Sequence, residues 1–386
     1  MPDVLVKSNL YRKVSSKLST PYNVMSTFYF RRSVEKAFQL NEYPSGLSLN
    51  LSNHLEGNAP YIILAVDDVM YIVNSVVQRT LATSQRDVAS SVILTVERVL
   101  DTDFVGMIQR KMRDESYPKP VIQGGPPPKE KIIQFIVLIN SLDMANEYLA
   151  RIISGRLGSS REHVNGNAAT NPLRDSFPFE RDVAHVTTSL ENLEKIFLSK
   201  STELLNEGIQ HLFNQVVKPR LRPVLSDTFR DADYTLTEAE LAELAQQTEE
   251  DEESLLDQVP RLFEHGWDQL MKPIARLMTL GKFGSLLDLT SRYLCKVLEK
   301  RILSYSGRAN AFGAIRMERD FADIVNVVSR GDYGVKELFA KVTQLLMVAN
   351  MEDDEWEEMV DMEGEDGIEW QLTGEEKRKA RTLVQR

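Results

Sequence analysis

The side chains that proteins use most often for catalysis and metal binding are sparse in this sequence and stand far apart. Two metal ligands on one helix face need a spacing of three or four residues, and no histidine has another histidine or a cysteine at that distance. The H-E-x-x-H and G-x-S-x-G patterns are also missing. We therefore expect no enzyme, no metal site and no cofactor. The five histidines are His54, His163, His185, His211 and His265.

The single cysteine, Cys295, cannot form a disulfide within this chain. It stands beside Tyr293, Leu294 and Val297 in an apolar stripe, which predicts a buried small hydrophobe rather than a reactive thiolate. Residues 280–285 faintly resemble a phosphate-binding loop but lack its residue order, so we interpret 281–284 as a turn between two helices. Basic residues are not interleaved with aromatic ones, which disfavours nucleic-acid binding.

Charge is distributed unevenly along the chain. The net charge is −11, yet 231–257 and 352–369 each contain eleven acids and no lysine or arginine, so the rest of the chain carries +11. Positive charge clusters near the start, where it could meet an anionic membrane or an acidic partner helix; an ordinary solvated helix face is the more common situation. The clustered residues are Arg12, Lys13, Lys17, Arg31, Arg32 and Lys36.

Apolar residues recur at helical spacing through most of the 386 residues. Between 66 and 81, for example, valines, methionine and leucine form one stripe while aspartate, asparagine and glutamine fall outside it. No Asn-Gly or Asp-Gly turn separates alternating segments, so we expect no sheet. The pattern predicts an all-α fold of antiparallel bundles. Further helices are predicted over 90–112, 131–153, 183–217 (ended by Pro219 and Pro223), 255–280, 283–302, 317–328 and 335–348.

Segments rich in helix breakers or in charge divide this series. Proline and glycine cluster over 117–129, and 155–178 is poor in apolar residues, so both are expected to be loop insertions. The acidic stretch 231–258 is expected to link two domains. We predict an N-terminal segment over 1–20 that is a fragment of a preceding helical region, a first bundle over 21–230 and a second bundle over 259–386. No run of apolar residues reaches the 18 or so needed to cross a bilayer, and no secretory signal is recognisable.

Two parts of the sequence are more specific than a generic helix. The first is TFYFRRSVEKAF at 27–38, followed by VDDVMYIV at 66–73 and by Arg79. The second is the expected helix over 351–362, a turn, and IEWQLTGEE at 368–376. Their order and spacing resemble the C-terminal half of the family of subunit 4 of the conserved oligomeric Golgi complex. The family subunit is about twice as long as this chain.

The resemblance implies helical bundles in tandem that form a rod, as in subunits of multisubunit tethering complexes. It implies a non-enzymatic protein that acts in intra-Golgi retrograde vesicle tethering and Golgi protein transport. The implied partners are the other subunits of the complex, with SNAREs and small GTPases as partners of the whole complex. Association with the Golgi membrane would be peripheral, on its cytosolic face and through partners, with no nucleic acid.

The end of the chain offers candidate interaction residues. Thr373 and Glu376 form the T-x-x-E pattern of a capping box that starts a last helix, and Trp370 and Leu372 could pin that helix to the preceding bundle. Glu376 lines up with a family position of apparent importance, and we predict that Lys336 lies close to it.

A second candidate patch is formed by Arg316 and Arg319. Both residues lie off the apolar stripe of the 317–328 helix and could face a partner. Ordinary surface charge is the alternative. For the whole chain, the alternative functions are a helical subunit of another vesicle tether of the exocyst type, or a generic adaptor scaffold.

Overall fold

The computed structural model describes residues 4, 8–122, 125–158, 172–248, 251–361 and 369–384. Among these residues helices are the only regular elements, and strand-type pairing is limited to one bridge between Ala309 and Val384. The expected all-α fold is confirmed. None of the described helices combines the length and the apolar character needed to cross a membrane.

The chain divides into two compact units. Unit 1 comprises Met1–Leu212 and Ala275–Lys282, and unit 2 comprises Phe213–Ile274 and Phe283–Arg386. This division differs from the boundary that the acidic stretch 231–258 suggested. The described part of that stretch contains helices and buried side chains of unit 2, including Tyr234 and Leu241.

Unit 1 is built on a core of long amphipathic helices. Helix α6 packs against α3 and α8, and α4 packs against α2, α3 and α8. Three π-helical stretches, Ser15–Ser19, Leu100–Val105 and Lys111–Glu115, continue the helical path between shorter α-helices. The α-helices of unit 1 are α1 (Asn9–Val14), α2 (Thr20–Gln39), α3 (Leu64–Leu81), α4 (Arg86–Val99), α5 (Gly106–Arg110), α6 (Lys129–Leu157), α7 (Leu173–Ser176) and α8 (Glu180–Leu212).

The helix predicted over 66–81 shows how the apolar stripe determines packing. In α3 the valines, methionine and leucine of the stripe are buried, whereas Asp67 and Asp68, which lie off the stripe, are exposed. Burial of such side chains contributes roughly 1.5–3 kcal/mol each. The stripe therefore fixes which face of α3 meets α2, α4 and α6.

A fully buried amide joins three segments of unit 1. Asn140 Nδ2 in α6 donates to the carbonyl oxygens of Tyr61 (3.1 Å) and Leu277 (2.7 Å), while its Oδ1 accepts from the backbone N–H of Thr279 (2.9 Å). Next to it, Ser141 Oγ accepts from the N–H of Ile63 at 3.1 Å. These bonds satisfy backbone groups that the core would otherwise leave without partners.

A guanidinium group holds the irregular loop that precedes α3. Arg276 donates to the carbonyl oxygens of Asn50 (2.7 Å) and Asn53 (3.2 Å), and also to those of Ser48 and Leu51. The two Nη groups of one arginine side chain thus replace the regular hydrogen bonds that a loop lacks. Arg276 belongs to the 275–282 segment, more than two hundred residues away in the chain.

Unit 2 contains a π-helical stretch at Phe213–Val217 and a second group of helices. Helix α14 packs against α15 and α16, and α16 packs against the last helix, α18. The α-helices that lie wholly or mainly in unit 2 are α9 (Lys218–Thr228), α10 (Glu238–Thr248), α11 (Glu252–Leu256), α12 (Gln258–Ala275), α13 (Leu280–Leu303), α14 (Ala311–Ser329), α15 (Tyr333–Glu337), α16 (Ala340–Asn350), α17 (Asp353–Asp361) and α18 (Gly374–Arg381).

Proline and glycine produced two wrong predictions. Pro219 and Pro223 do not end the helical path: Pro219 occupies the first turn of α9, where its missing N–H has no intrahelical partner to lose, and Pro223 lies inside the same helix. The 281–284 turn is also wrong, because α13 begins at Leu280. Gly281 and Gly284 lie in the first turns of this helix, and the connection is 276–279 instead.

Two helix boundaries near the end of the chain differ from the prediction. The helix expected over 335–348 is divided into α15 and α16 by Leu338 and Phe339. The helix expected over 351–362 is observed as Asp353–Asp361, and residue 362 lies outside the described residues. The first difference changes which lysine faces α18.

The expected loop insertions are partly described. The described residues of 117–128 contain no helix, and α6 begins at Lys129. Residues 159–171 of the 155–178 segment lie outside the described residues. Its later part contributes Leu173 and Phe177 to the buried core of unit 1.

Candidate functional site

The last helix of unit 2 begins with the predicted capping box. Thr373 Oγ1 accepts from the N–H of Glu376 at 3.3 Å, and Glu376 Oε2 accepts from the N–H of Thr373 at 2.9 Å. Each side chain satisfies a backbone donor at a helix start, where the first N–H groups lack intrahelical acceptors. The capping-box prediction is confirmed.

Glu376 also forms an ion pair, but with a different lysine from the one predicted. Lys341 Nζ lies 2.5 Å from Glu376 Oε1 and 3.6 Å from an oxygen of Glu299. The hydrogen bond from Lys341 lowers the pKa of Glu376, and the same bond raises the pKa of Lys341. This network of two carboxylates around one ammonium connects α13, α16 and α18.

Glu376 pairs with Lys341 rather than with the predicted Lys336, and the helix expected to contain both lysines is interrupted between them. Lys336 belongs to the short α15, whereas Lys341 is in the first turn of α16, the helix that packs against α18. Even in one continuous helix, positions five residues apart would point about 140° away from each other.

The predicted anchors Trp370 and Leu372 lie in the segment that leads to α18. Leu372 is buried, and the half-buried Trp370 ring receives the ammonium of Lys377, whose Nζ lies 4.1 Å from the ring centroid. Lys377 is itself buried, so the aromatic face stabilises a charge that has left water. Gln344 holds the same segment from α16 by donating to the Glu369 carbonyl and accepting from the Gln371 N–H, both at 2.8 Å.

Arg316 and Arg319 both contact residues of their own unit. The Arg316 guanidinium lies 5.8 Å from the Tyr234 ring centroid and donates to the Asp233 carbonyl oxygen at 3.3 Å. Arg319 pairs with Asp257, and its side chain remains 47% exposed. Of the two, Arg319 has the larger surface available to a partner.

A buried hydroxyl–carboxylate pair lies beneath Arg316. Tyr234 donates to Asp320 Oδ2 at 2.8 Å, and both side chains are almost completely buried. Burial raises the pKa of Asp320 to about 6, even though the bond from Tyr234 and the nearby Arg316 act in the opposite direction. Burial also raises the pKa of Tyr234.

The sequence contains a signal for this pair, although Asp320 and Tyr234 are not among the predicted site residues. Asp320 lies three residues after Met317, on the same apolar stripe as Phe321 and Ile324. A carboxylate on a buried stripe needs a hydrogen-bond donor from another element. Tyr234 lies in a stretch interpreted as an acidic linker, so it was not expected to be buried.

The backbone of Tyr234 explains a glycine in α14. The Tyr234 carbonyl accepts from the N–H of Asn310 at 3.2 Å, and a Cβ at Gly313 would lie 1.8 Å from that same oxygen. Only a residue without a side chain allows this approach. Residues 233–235 are thus fixed against the start of α14.

Cys295 is buried, as its position in an apolar stripe predicted. Burial raises the pKa of its thiol to about 12, and Sγ donates to Glu299 at 3.3 Å. Among the described residues no group of three His, Cys, Asp or Glu side chains is arranged to hold a metal ion.

The basic cluster near the start of the chain is partly neutralised within unit 1. Arg31 pairs with Asp103 at 3.1 Å, and Arg32 pairs with Glu35 at 2.5 Å, one turn along α2. The face of α2 between these groups exposes apolar side chains, among them Phe28. The side chain of Arg12 lies outside the described part of the cluster.

Two family models match the chain, and both describe the same family. The model described as "COG4 transport protein, middle alpha-helical bundle" matches residues 1–112, and the model described as "Conserved oligomeric Golgi complex subunit 4, C-terminal" matches residues 135–379. The chain resembles the exocyst subunit Sec6p C-terminal domain with a TM-score of 0.51, covering 99% of this chain and 92% of that one. At 12% identity this likeness shows the fold alone.

Curated relatives named conserved oligomeric Golgi complex subunit 4 match most of the chain. The Arabidopsis thaliana protein is 25% identical over 97% of this chain and 45% of its own length. The Schizosaccharomyces pombe protein is 23% identical over 86% and 41%, and the Mus musculus protein 21% identical over 99% and 47%. The chain spans less than half the length of these relatives. Because the C-terminal family model alone matches more than half of its residues, the chain belongs to the family of subunit 4 of the conserved oligomeric Golgi complex.

Proposed function

We propose that this chain acts as a non-enzymatic part of a Golgi tethering complex, in intra-Golgi retrograde vesicle tethering and Golgi protein transport. The observation that carries the proposal is the match of a middle-bundle and a C-terminal family model, in that order, to the two parts of the chain. Its partners are the other subunits of the complex.

The contacts in unit 2 support a binding role rather than a catalytic one. The perturbed acidic group Asp320 is buried against Tyr234, and Glu376 is engaged by its capping box and by Lys341. Both carboxylates thus hold helices in place. Affinity in such a protein comes from side-chain anchors on a rigid surface, and Trp370, Arg319 and Lys336 are the residues of unit 2 that we propose for this role.

We further propose that SNAREs and small GTPases bind the assembled complex, and that the chain associates with the cytosolic face of the Golgi membrane through its partners. The absence of a membrane-crossing helix among the described residues is compatible with that arrangement. An exocyst-type tether is the weaker alternative, because only a likeness of fold supports it.

The test replaces the cell's own copy of the protein with a tagged copy that carries this chain. We expect the other subunits of the Golgi complex to co-purify with the tag, and the tag to co-localise with a Golgi marker. Purification of the chain without any of these subunits, or with exocyst subunits instead, would contradict the proposal.

A further inference from the structure

A groove on unit 2 is separate from the carboxyl-terminal contacts described above. It lies between α9 and α13 and has a volume of about 410 Å³, within the range of sites that bind small molecules or side-chain clusters. Leu225, Phe229 and Leu298 line it and are buried, so its floor is apolar. The half-buried Tyr293 adds an aromatic ring.

Three cations line this groove. They are Arg222 on α9 and Lys300 and Arg301 on α13, and we call them the groove cations. No carboxylate among the described residues lies within ion-pair distance of any of them. Arg301 is held in place by aromatic rings, with its guanidinium carbon 4.9 Å from the Phe229 centroid and 5.9 Å from the Tyr305 centroid. Lys218 adds further positive charge, 5.2 Å from the ring of Tyr293.

The carboxylates that are close in sequence to the groove cations have other partners. Asp227 pairs with Arg230, and Glu299 accepts from Cys295 and pairs with Lys341. No acidic residue lines the groove. Among the described residues nothing compensates this positive charge, which therefore attracts anionic ligands.

We propose that the groove binds an acidic segment of a partner protein that carries an aromatic or aliphatic anchor side chain. The apolar floor would bury the anchor, and the groove cations would pair with carboxylates on either side of it. A free phosphate would leave the apolar floor unused, which is why a peptide suits the groove better. This inference rests on the proposed function, since it specifies how one partner of the tether is held.

The test uses a photo-cross-linking amino acid introduced in place of Ser226, an exposed residue that lines the groove. The tagged chain replaces the resident protein in cells, is irradiated, and is purified under denaturing conditions for mass spectrometry of the adduct. The same amino acid in place of the exposed Glu264 on α12, which does not line the groove, provides the background. A parallel purification under native conditions measures whether the Golgi complex subunits co-purify with the tagged chain.

The decisive variant combines Arg222→Glu with Lys300→Glu. Its matched control combines Lys296→Glu with Arg308→Glu, which reverses the same number of exposed charges of unit 2 outside the groove. We expect the Ser226 adduct to map to an acidic segment of a partner protein and to fall about tenfold in the groove variant but not in the control. If the groove variant loses helical circular dichroism, Arg222→Gln with Lys300→Gln replaces it, with an expected fall of about threefold.

Three results would overturn the proposal: an adduct to a lipid, an adduct to another copy of this chain (its own acidic 352–369 stretch included), or no adduct above the Glu264 background. The co-purification readout separates this failure from failure of the proposed function. Complex subunits without a groove adduct would refute the groove and leave the function standing. An acidic adduct on a protein outside the complex would support the groove and refute the partner assignment.

Discussion

In both units of this chain polar side chains join elements that are far apart in sequence, but the chemistry differs between the units. In unit 1 the neutral amide of Asn140 does so in complete burial, with three hydrogen bonds to backbone groups. In unit 2 the Lys341–Glu376 ion pair does so with about a quarter of each side chain exposed. Burial makes the first attachment strong and insensitive to salt, while exposure makes the second weaker and adjustable by solvent conditions.

The largest effect is expected for Asn140→Ala. The substitution leaves the carbonyls of Tyr61 and Leu277 and the N–H of Thr279 buried without this partner, and each such group costs about 1–3 kcal/mol. We expect the free energy of unfolding to fall by about 3 kcal/mol, measured by urea denaturation. Asn192→Ala on the exposed face of α8 is the control and should change it by less than about 0.5 kcal/mol. A loss for Asn140→Ala no larger than that of the control would remove the contrast between the two units.

The buried carboxyl group of Asp320 in unit 2 tests whether burial or charge accounts for the difference between the Asn140 and the Lys341–Glu376 attachments. Asp320 has a pKa of about 6 in the folded protein, above the ordinary value of 3.8, so the folded state holds its proton more tightly than the unfolded state does. Its contribution to the free energy of unfolding should therefore rise as pH falls from 7 towards 4. Relative to Asp320→Asn, we expect wild-type stability to increase by about 2 kcal/mol over that range, measured by urea denaturation at each pH.

The opposite slope is expected for Glu376, whose pKa is lowered on folding. Its stabilising contribution is present above its ordinary pKa and is lost as pH falls through the folded value. If Asp320→Asn and Glu376→Gln change the pH profile in the same direction, the assignment of these two environments is wrong.

The smallest effect is expected for the ion pair itself. Glu376→Gln keeps a side chain that can serve the capping box and removes only the charge, so combined with Lys341→Met it isolates the pair in a double-mutant cycle. We expect a coupling energy of about 1 kcal/mol at low salt that is largely screened at about 1 M salt. Lys336→Met in the same cycle is the control. A coupling of Glu376 to Lys336 as large as that to Lys341 would contradict the described contacts.

The sequence predicted the elements that depend on local pattern. Apolar periodicity located the helix over 66–81, and the T-x-x-E pattern located the capping box at Thr373, because both signals lie within a few residues. The same local patterns led to the wrong predictions of a helix end at Pro219 and Pro223 and of a turn at 281–284. Pro219 is tolerated because it lies in a first turn, whereas Pro223 and the two glycines lie within helices whose bounds the local pattern does not show.

The partners of the polar side chains could not be predicted in the same way. Asn140 meets residues 79 and 137 positions away, and Tyr234 meets Asp320 across 86 positions. A buried polar group on an apolar stripe indicates that a hydrogen-bond partner exists, but the local pattern does not indicate where in the chain that partner lies. Leu338 and Phe339 interrupt the helix expected there, and Lys341 rather than Lys336 pairs with Glu376.

The loop held by Arg276 has a consequence for synthesis of the protein. Residues 48–53 leave the ribosome well before the guanidinium that binds their carbonyl oxygens, which emerges only after the whole of α8 and α12. Thr279 and Leu277, which bind Asn140, arrive at the same late moment. A nascent chain that stops before 275 therefore has all the long helices of unit 1 but lacks the piece that completes their core.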